Sequence, residues 1–482
     1  MIFYPKDSNH PYNMCIRNRG NVMPHNSFEN YPMSWRPILK KGAEPLYISL
    51  AAQLENDIAS GILRPGTKLP PQRELADFLD INVSTVSRAF KICSQKGLLS
   101  GTIGSGTYVT YDICTNIFTA STFNKPQLIE LGSMMPETIP QDEVVSLFQK
   151  MLTEPDFGKL FQYSHGISDW QREAAAKLMN RVGCTASADR VLTASGGQNA
   201  IAAIFAGLFK PGDRLGVDPL VYPGLKSAAK LFGIQLVAIQ QENGEMSEAG
   251  LRYAIKNDNI RGIYVMPDCQ NPTTHTMTAE CRKMIARIAK EFHLIVIEDG
   301  INSLLLEEKR STIYADAPEQ TIFLLSLSKT VNPALRLAYL AVPERYYTKM
   351  DNALYNINLS QSALLQEIAS RLIVSGQLET LLERRCKGLI RRNQLTDRVL
   401  NHCEVWGNST SLNRWLCLPH GITGAQFEHL ASEQGVLVYG SERFAVGKDA
   451  PVGAVRLAIC APDSMNELER GLTILDELLN SL

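Results

Sequence analysis

From residue 128 to about 370, short apolar runs take turns with segments of helical length, and that alternation restricts the fold more than any other property of the chain. Residues 192–195 lead into 199–209, and 262–266 lead into 279–292 and then 294–298. Alternation at this spacing implies a largely parallel sheet with helices on both faces. In such a sheet, ligand groups gather beyond the carboxyl ends of the strands. The end of the apolar run 321–327 fits that rule: Ser326-Leu327-Ser328-Lys329 puts two hydroxyls and a primary amine where a buried strand stops, with Arg336 a short way on. An ammonium there is costly to keep charged, and a Schiff base to an aldehyde cofactor removes the cost. The Arg336 guanidinium suits a phosphate.

Other strand ends carry polar groups in the same way. Ser195-Gly196-Gly197-Gln198 stands where a strand hands over to a helix, so its amides and the helix N-terminus suit a phosphate. Downstream come Val221-Tyr222-Pro223-Gly224, Gln270-Asn271-Pro272-Thr273, and Asp299 after the run 294–297. A carboxylate at that last place can keep a pyridine nitrogen protonated, although in isolation Asp299 also reads as a helix cap or a solvated acid. The set S-x-S-K with its arginine, in this order with the others, resembles the lysine segment of fold-type I aminotransferases that bind pyridoxal 5'-phosphate (PLP). That resemblance implies that Lys329 carries the cofactor, Tyr222 lies on its ring, Asn271 bonds the ring hydroxyl and Asp299 faces the ring nitrogen. It also implies that Ser195, Gly196, Gly197, Gln198, Ser326, Ser328 and Arg336 surround the phosphate side. Val455-Arg456-Leu457-Ala458 is similar to the strand that sets an arginine against a substrate carboxylate, an anion its fork-shaped cation matches. Gly435-Val436 and Phe444 resemble the segment that closes over the ligand. Relatives commonly read Glu-Asp-Asp-Tyr where this chain has Glu298-Asp299-Gly300-Ile301, so one donor to the ring hydroxyl is expected to be missing.

Ahead of this body, Leu46, Leu50, Leu54 and Ile58 recur at helical spacing before Gly61. A Pro65-Gly66 turn, a second short helix after Pro70-Pro71, and a third helix capped by Asn82, Ser84 or Thr85 and stopping at Gly97 follow. The tail 98–109 alternates around Gly101, Gly104 and Gly106 as a hairpin does. Three short helices and a hairpin make a winged helix-turn-helix. Pro45-Leu46-Tyr47, Gly66-Thr67-Lys68-Leu69-Pro70, Arg73-Glu74-Leu75-Ala76, Thr85-Val86 and Gly104-Ser105-Gly106-Thr107-Tyr108-Val109 resemble the GntR family of bacterial regulators. The resemblance implies a third helix in the major groove of double-stranded DNA, led by Ser84, Thr85, Ser87 and Arg88, with Arg73, Gly106 and Thr107 near phosphates. Val83 stands where many relatives carry an arginine, which removes a bidentate guanine contact from that position.

Five segments are expected: a disordered extension over 1–40, the winged helix over 41–110, a linker over 111–127, a PLP-binding large domain over 128–370, and a small domain over 371–482. The basic run in the long helix 378–400, with Arg384, Arg385, Lys387, Arg391 and Arg392, reads as a solvated face first and a DNA or partner surface second. Hydrophobic content of 45% with 20% charged residues excludes general disorder, and a net charge of -1 means that any nucleic-acid footprint is local. The ten cysteines are scattered without C-x-x-C, so neither a zinc site nor a disulfide framework is expected. No histidine is assigned a metal or catalytic role. No apolar run suits a membrane span, and a cytoplasmic protein is expected.

The fusion resembles the MocR/GabR subfamily of GntR regulators. It implies a homodimeric, DNA-binding transcription regulator that senses an amino acid, an amine or PLP itself through aldimine exchange at Lys329. The competing reading is a working PLP-dependent aminotransferase with a secondary DNA module.

Overall fold

The computed structural model describes residues 33–39, 44–102, 106–113, 128–137, 139–163, 166–306, 308 and 310–482. Near the N-terminus, helices Leu46–Ala59, Gln72–Leu79 and Val83–Gln95 precede an antiparallel hairpin of Leu99–Thr102 with Gly106–Val109. Leu50, Leu54 and Ile58 face inward at helical spacing and meet Leu75, Val86, Phe90 and Val109 in one core. Asp80, at φ 52°, turns the chain out of the second helix, and the Asn82 side chain accepts from the Ser84 amide to start the third. A winged helix-turn-helix results.

Part of the expected disordered extension belongs to this unit. Trp35 is buried in the winged-helix core, its indole N–H donates to Asp57 Oδ2 at 2.7 Å, and Ser34 Oγ donates to the Lys68 carbonyl at 2.5 Å. An apolar ring with a buried acceptor for its N–H orders residues that composition alone reads as free. Residues 1–32 and 40–43, the wing residue Gly104, and 114–127 of the expected linker lie outside the described residues. Tyr111–Ile113, at the start of that linker, forms a 3-10 turn fixed to the body.

The body is built on a seven-stranded sheet in the order Val191–Ala194, Ala338–Ala341, Thr321–Ser326, Ile295–Asp299, Ile260–Val265, Arg214–Val217, Gln235–Ala238. All neighbours run parallel except Ala338–Ala341, which is antiparallel to both of its partners. The central strands are buried along their whole length, as a sheet covered on both faces requires. A second antiparallel sheet, Val405–Trp406, Arg414–Cys417, Ala454–Leu457 and Tyr439–Gly440, forms the small domain with the helices Gln377–Val399 and Met465–Asn480.

Two expected boundaries move. Ile129–Glu130, assigned to the large domain, pairs in parallel with Val436–Leu437, and Ile129 and Leu131 join the small-domain core. Position 370 falls inside the helix Ala363–Ser375, whose buried face packs with the large-domain core, and Leu378, Leu381 and Leu382 of the next helix, past the turn at Gly376, φ 78°, still join that core. Nor is the basic face of the next helix simply solvated: Arg385 and Arg392 are buried. Arg392 donates to the carbonyls of Ile459 and Pro462 and pairs with Glu137, and Arg385 donates to the Glu137 carbonyl at 2.9 Å. No helix among the described residues is long and apolar enough to cross a membrane.

Candidate cofactor and effector site

At the carboxyl ends of the sheet lies a cavity of about 450 Å³ whose walls include Gln198, Tyr222, Asn271, Asp299, Lys329 and both Arg336 and Arg456. Gly197, Ser326 and Ser328 complete the side nearest the helix Gly197–Leu208. Residues more than 250 positions apart in the chain therefore face one space, because each lies at a strand end or in the connection that follows it or, for Arg456, on the small-domain strand above it.

The end of the cavity beside the helix Gly197–Leu208 is shaped by backbone. Gly196 sits at φ 90°, and a Cβ there would lie 2.8 Å from Arg336 Nη2, so only glycine admits the guanidinium. Arg336, itself left-handed at φ 44°, donates to the Ser195 carbonyl at 3.1 Å and reaches Ser328 Oγ at 3.4 Å. The Ser195 hydroxyl does not line the cavity: it accepts from Asn358 Nδ2 at 2.8 Å and donates to Gln361. Gln198 is tied between the Gly224 carbonyl, 2.8 Å, and the Tyr222 hydroxyl, 3.2 Å.

At the other end, Asp299 is buried, and its Oδ2 accepts from the Tyr264 hydroxyl at 2.7 Å while Oδ1 accepts from the Ile301 amide at 3.1 Å. Burial pushes its carboxyl from 3.8 up to about 6, against the pull of those two donors. Tyr264 was not singled out in the sequence, where a tyrosine inside an apolar strand reads as core. Gly300 follows because a Cβ there would stand 2.6 Å from the Phe323 ring, which accounts locally for the departure at that position. Burial lowers the Lys329 ammonium, with Arg456 and Arg336 acting the same way and Cys460 opposing. Its Nζ donates to the Met134 carbonyl. Arg456 donates to Asn271 Oδ1 at 2.8 Å and to the Gly132 carbonyl, with its guanidinium 4.8 Å from the Phe444 ring centroid and 5.6 Å from that of Tyr439. Burial pulls it down to about 10, so it stays a cation at neutral pH, and its Nε is a buried donor with no partner among the described residues.

These groups fit PLP. A glycine cradle beside Arg336 and a helix N-terminus suit a phosphate, a buried acid suits a protonated ring nitrogen, and an amine with weakened proton affinity suits an aldehyde. The Asp299 shift has a consequence for the cofactor-free protein. Since the folded value exceeds the unfolded one, burial costs nothing near pH 3, where the carboxyl is protonated in both states, and costs progressively more as pH rises through 6. Asp299→Asn should therefore raise cofactor-free stability by about 1–3 kcal/mol at pH 8 and leave it unchanged at pH 3. Urea midpoints at the two pH values check this, and an Asn variant no more stable at pH 8 contradicts it.

On the winged helix, Arg73, Ser84 and Arg88 are exposed, and Ser84 and Arg88 share one face of the third helix at four-residue spacing. Thr85 and Ser87 are half-buried, and the Ser87 hydroxyl donates to Gln72 Oε1 at 2.5 Å, tying the second helix to the third. Gly106, at φ 110°, lets the Lys68 side chain pass where a Cβ would be 2.8 Å away, and the Thr107 carbonyl accepts from the Leu69 amide at 2.8 Å. Away from the cavity, among the described residues, one histidine, one cysteine and one carboxylate converge: His402, Cys403 and Asp476.

The family of bacterial regulatory proteins of the gntR type matches residues 46–109, and the class I and II aminotransferase family, a PLP-dependent fold, matches 127–475. An uncharacterized HTH-type transcriptional regulator of Bacillus subtilis, YdeF, is 50% identical over 461 residues, covering 95% of this chain and all of that protein. The uncharacterized HTH-type regulator YjiR of Escherichia coli is 25% identical over 378 residues, 72% of this chain and 79% of its own. Among solved structures, an archaeal alanine:glyoxylate aminotransferase superposes with a TM-score of 0.68 at 21% identity, covering 80% of this chain and 98% of that one. Thermus thermophilus aspartate aminotransferase with maleate gives 0.65 at 18% identity, covering 80% and 99%. The chain belongs to the HTH-type transcriptional regulators that join a GntR DNA-binding domain to a class I/II aminotransferase domain, the MocR architecture.

Proposed function

We propose that this regulator holds PLP through Lys329 and senses an amino acid, an amine or PLP itself in the cytoplasm, as a homodimer bound to a double-stranded DNA operator. The observation that carries the reading is that Lys329, Asp299, Arg336 and Arg456 line a single cavity of about 450 Å³. PLP supplies an aldehyde that primary amines capture, and so an incoming amine can compete with Lys329 for it. Lys329 is suited to that exchange because burial favours its neutral form, the nucleophilic one. With PLP bound, Asp299, oriented by Tyr264, would accept from the ring nitrogen, Asn271 would bond the ring hydroxyl, and Tyr222 would support a ring face. Ser326, Ser328, Arg336 and the amides of Gly196 and Gly197 retain the phosphate during exchange. Arg456, with one unpartnered N–H, selects ligands that carry a carboxylate. Arg73, Ser84, Thr85, Ser87, Arg88, Gly106 and Thr107 form the DNA side, with Ser87 positioning the third helix through Gln72 rather than reading a base.

A working aminotransferase is the second reading, favoured by the completeness of the lysine, acid and arginine set. Multiple-turnover transamination with a panel of amino acids, run beside a gel shift on the DNA upstream of the chain's own gene, separates the two. Retention of that DNA with at most a few turnovers is expected. Rapid turnover without DNA retention would reverse the assignment.

A further inference from the structure

The winged helix is joined to the body without slack. Thr110 still belongs to the winged helix, its amide donating to the Leu98 carbonyl at 3.1 Å and its hydroxyl to the Gly97 carbonyl at 2.7 Å. The next residue already belongs to the body: the Tyr111 amide donates to the Gly447 carbonyl at 2.8 Å, and the Tyr111 carbonyl accepts from Lys226 Nζ at 3.0 Å. Asp112 Oδ1 accepts from the Gly447 amide at 3.2 Å. Lys226, 2% exposed, also donates to the carbonyls of Arg443, 3.1 Å, and Ala445, 2.7 Å. Its ammonium thus pins three carbonyls from two parts of the chain at one point.

Of the two elements that meet at Lys226, one lines the effector cavity and the other packs on Arg456, which lines it. The helix Pro223–Phe232, which carries Lys226, presents Pro223, Gly224 and Ser227 to the cavity wall, preceded by its N-cap Tyr222. The segment 443–447 contains Phe444, whose ring packs on the Arg456 guanidinium at 4.8 Å and whose carbonyl accepts from the Val221 amide at 2.9 Å. One residue beyond Gly447, the Lys448 ammonium stands 5.5 Å from the ring of Tyr108 in the wing hairpin. A ligand that turns Arg456 toward its own carboxylate changes the packing on Phe444, one to three residues from the carbonyls of Arg443, Ala445 and Gly447. A ligand shifts such an equilibrium only by its unequal affinity for two states, and contacts that differ at Arg456 supply the inequality.

We infer that Lys226 is the latch of the regulator: together with Asp112 it fastens the base of the winged helix to the 443–447 segment, and an amino-acid carboxylate at Arg456 loosens it. This rests on the sensing function proposed above and names the route by which sensing reaches DNA. Lys226 is a positioning residue, remote from the reacting atoms.

The test uses the full chain loaded with PLP, and aminooxyacetate as the probe, since it carries both an amine that condenses with the aldehyde and a carboxylate for Arg456. Wild type is compared with Lys226→Met and Asp112→Ala, the latter on a half-buried 3-10 turn whose side chain belongs to no hydrophobic core. In the wild type the probe should change the visible absorption, shift affinity for the upstream duplex by about tenfold, an ordinary size for allosteric coupling, and speed amide exchange across 106–113. In both variants the absorption should change as in the wild type, exchange across 106–113 should be fast before any probe is added, and the probe should move DNA affinity by less than about twofold. If Lys226→Met does not fold, Asp112→Ala decides. Absorption that does not respond in the wild type overturns the sensing function itself. Absorption that responds while both variants keep the full shift in DNA affinity, or while wild-type exchange and affinity stay still, overturns the latch alone.

Discussion

Replacing Lys329 with Ala is expected to abolish covalent attachment of PLP completely while leaving affinity for the upstream duplex, without effector, within about twofold. The first half follows from the cavity: among its lining residues Lys329 is the single primary amine. The second half follows from packing. The winged helix has its own core, built from Leu50, Leu54, Leu75, Val86 and Phe90, and among the described residues the side chain of Lys329 makes one hydrogen bond, to the Met134 carbonyl. Loss of a bond of that kind costs roughly 1 kcal/mol, too little to disturb a separately cored unit. Borohydride reduction followed by mass measurement reads the first half, and a gel shift reads the second. Simultaneous loss of both would mean that the two units do not fold independently.

Arg282→Met is expected to lower stability by about 3–5 kcal/mol, because it strands a buried carboxylate. Arg282 is 3% exposed and bonds Asp268 Oδ1 at 2.6 Å, the Pro267 carbonyl at 2.9 Å, the Ser311 carbonyl at 3.1 Å and the Met277 carbonyl at 3.2 Å. Asp268, also buried, accepts from Ser303 through its other oxygen. Methionine fills the space and supplies no donor. The variant should also bind PLP less tightly, since the Pro267–Asp268 backbone leads directly to Asn271. Pairing it with Asp268→Asn should recover part of the loss, because the stranded charge is then gone. Urea midpoints of the two single variants and the double variant measure this, and strictly additive losses would show that the pair is not coupled.

The chemistry of the cavity was legible because it obeys a local rule. Lys329, Asp299 and Gly196 each follow an apolar run that is recognisable by itself, and parallel strands bring their ends together without further information. The winged helix was legible for a similar reason: Leu50, Leu54 and Ile58 carry its core at fixed spacing. What escaped notice depends on partners far along the chain. Arg392 looked like one cation in a solvated run, yet its acceptors lie at Glu137, Ile459 and Pro462. Trp35 sat in a polar stretch, and only Asp57, placed among the apolar positions of the first helix, hinted at a buried donor to match it. Ile129–Glu130 was grouped with the domain that follows it, although its strand partner comes some three hundred residues later. Lys226 carried no signal, because a lysine on an amphipathic helix reads as exposed until the three carbonyls around it are seen.

The central claim is that Lys329 is the residue that captures PLP. Wild-type protein incubated with PLP, reduced with borohydride and digested should carry the added mass on the peptide containing Lys329 and on no other. An unmodified Lys329 peptide, or an adduct confined to surface lysines, would contradict the account.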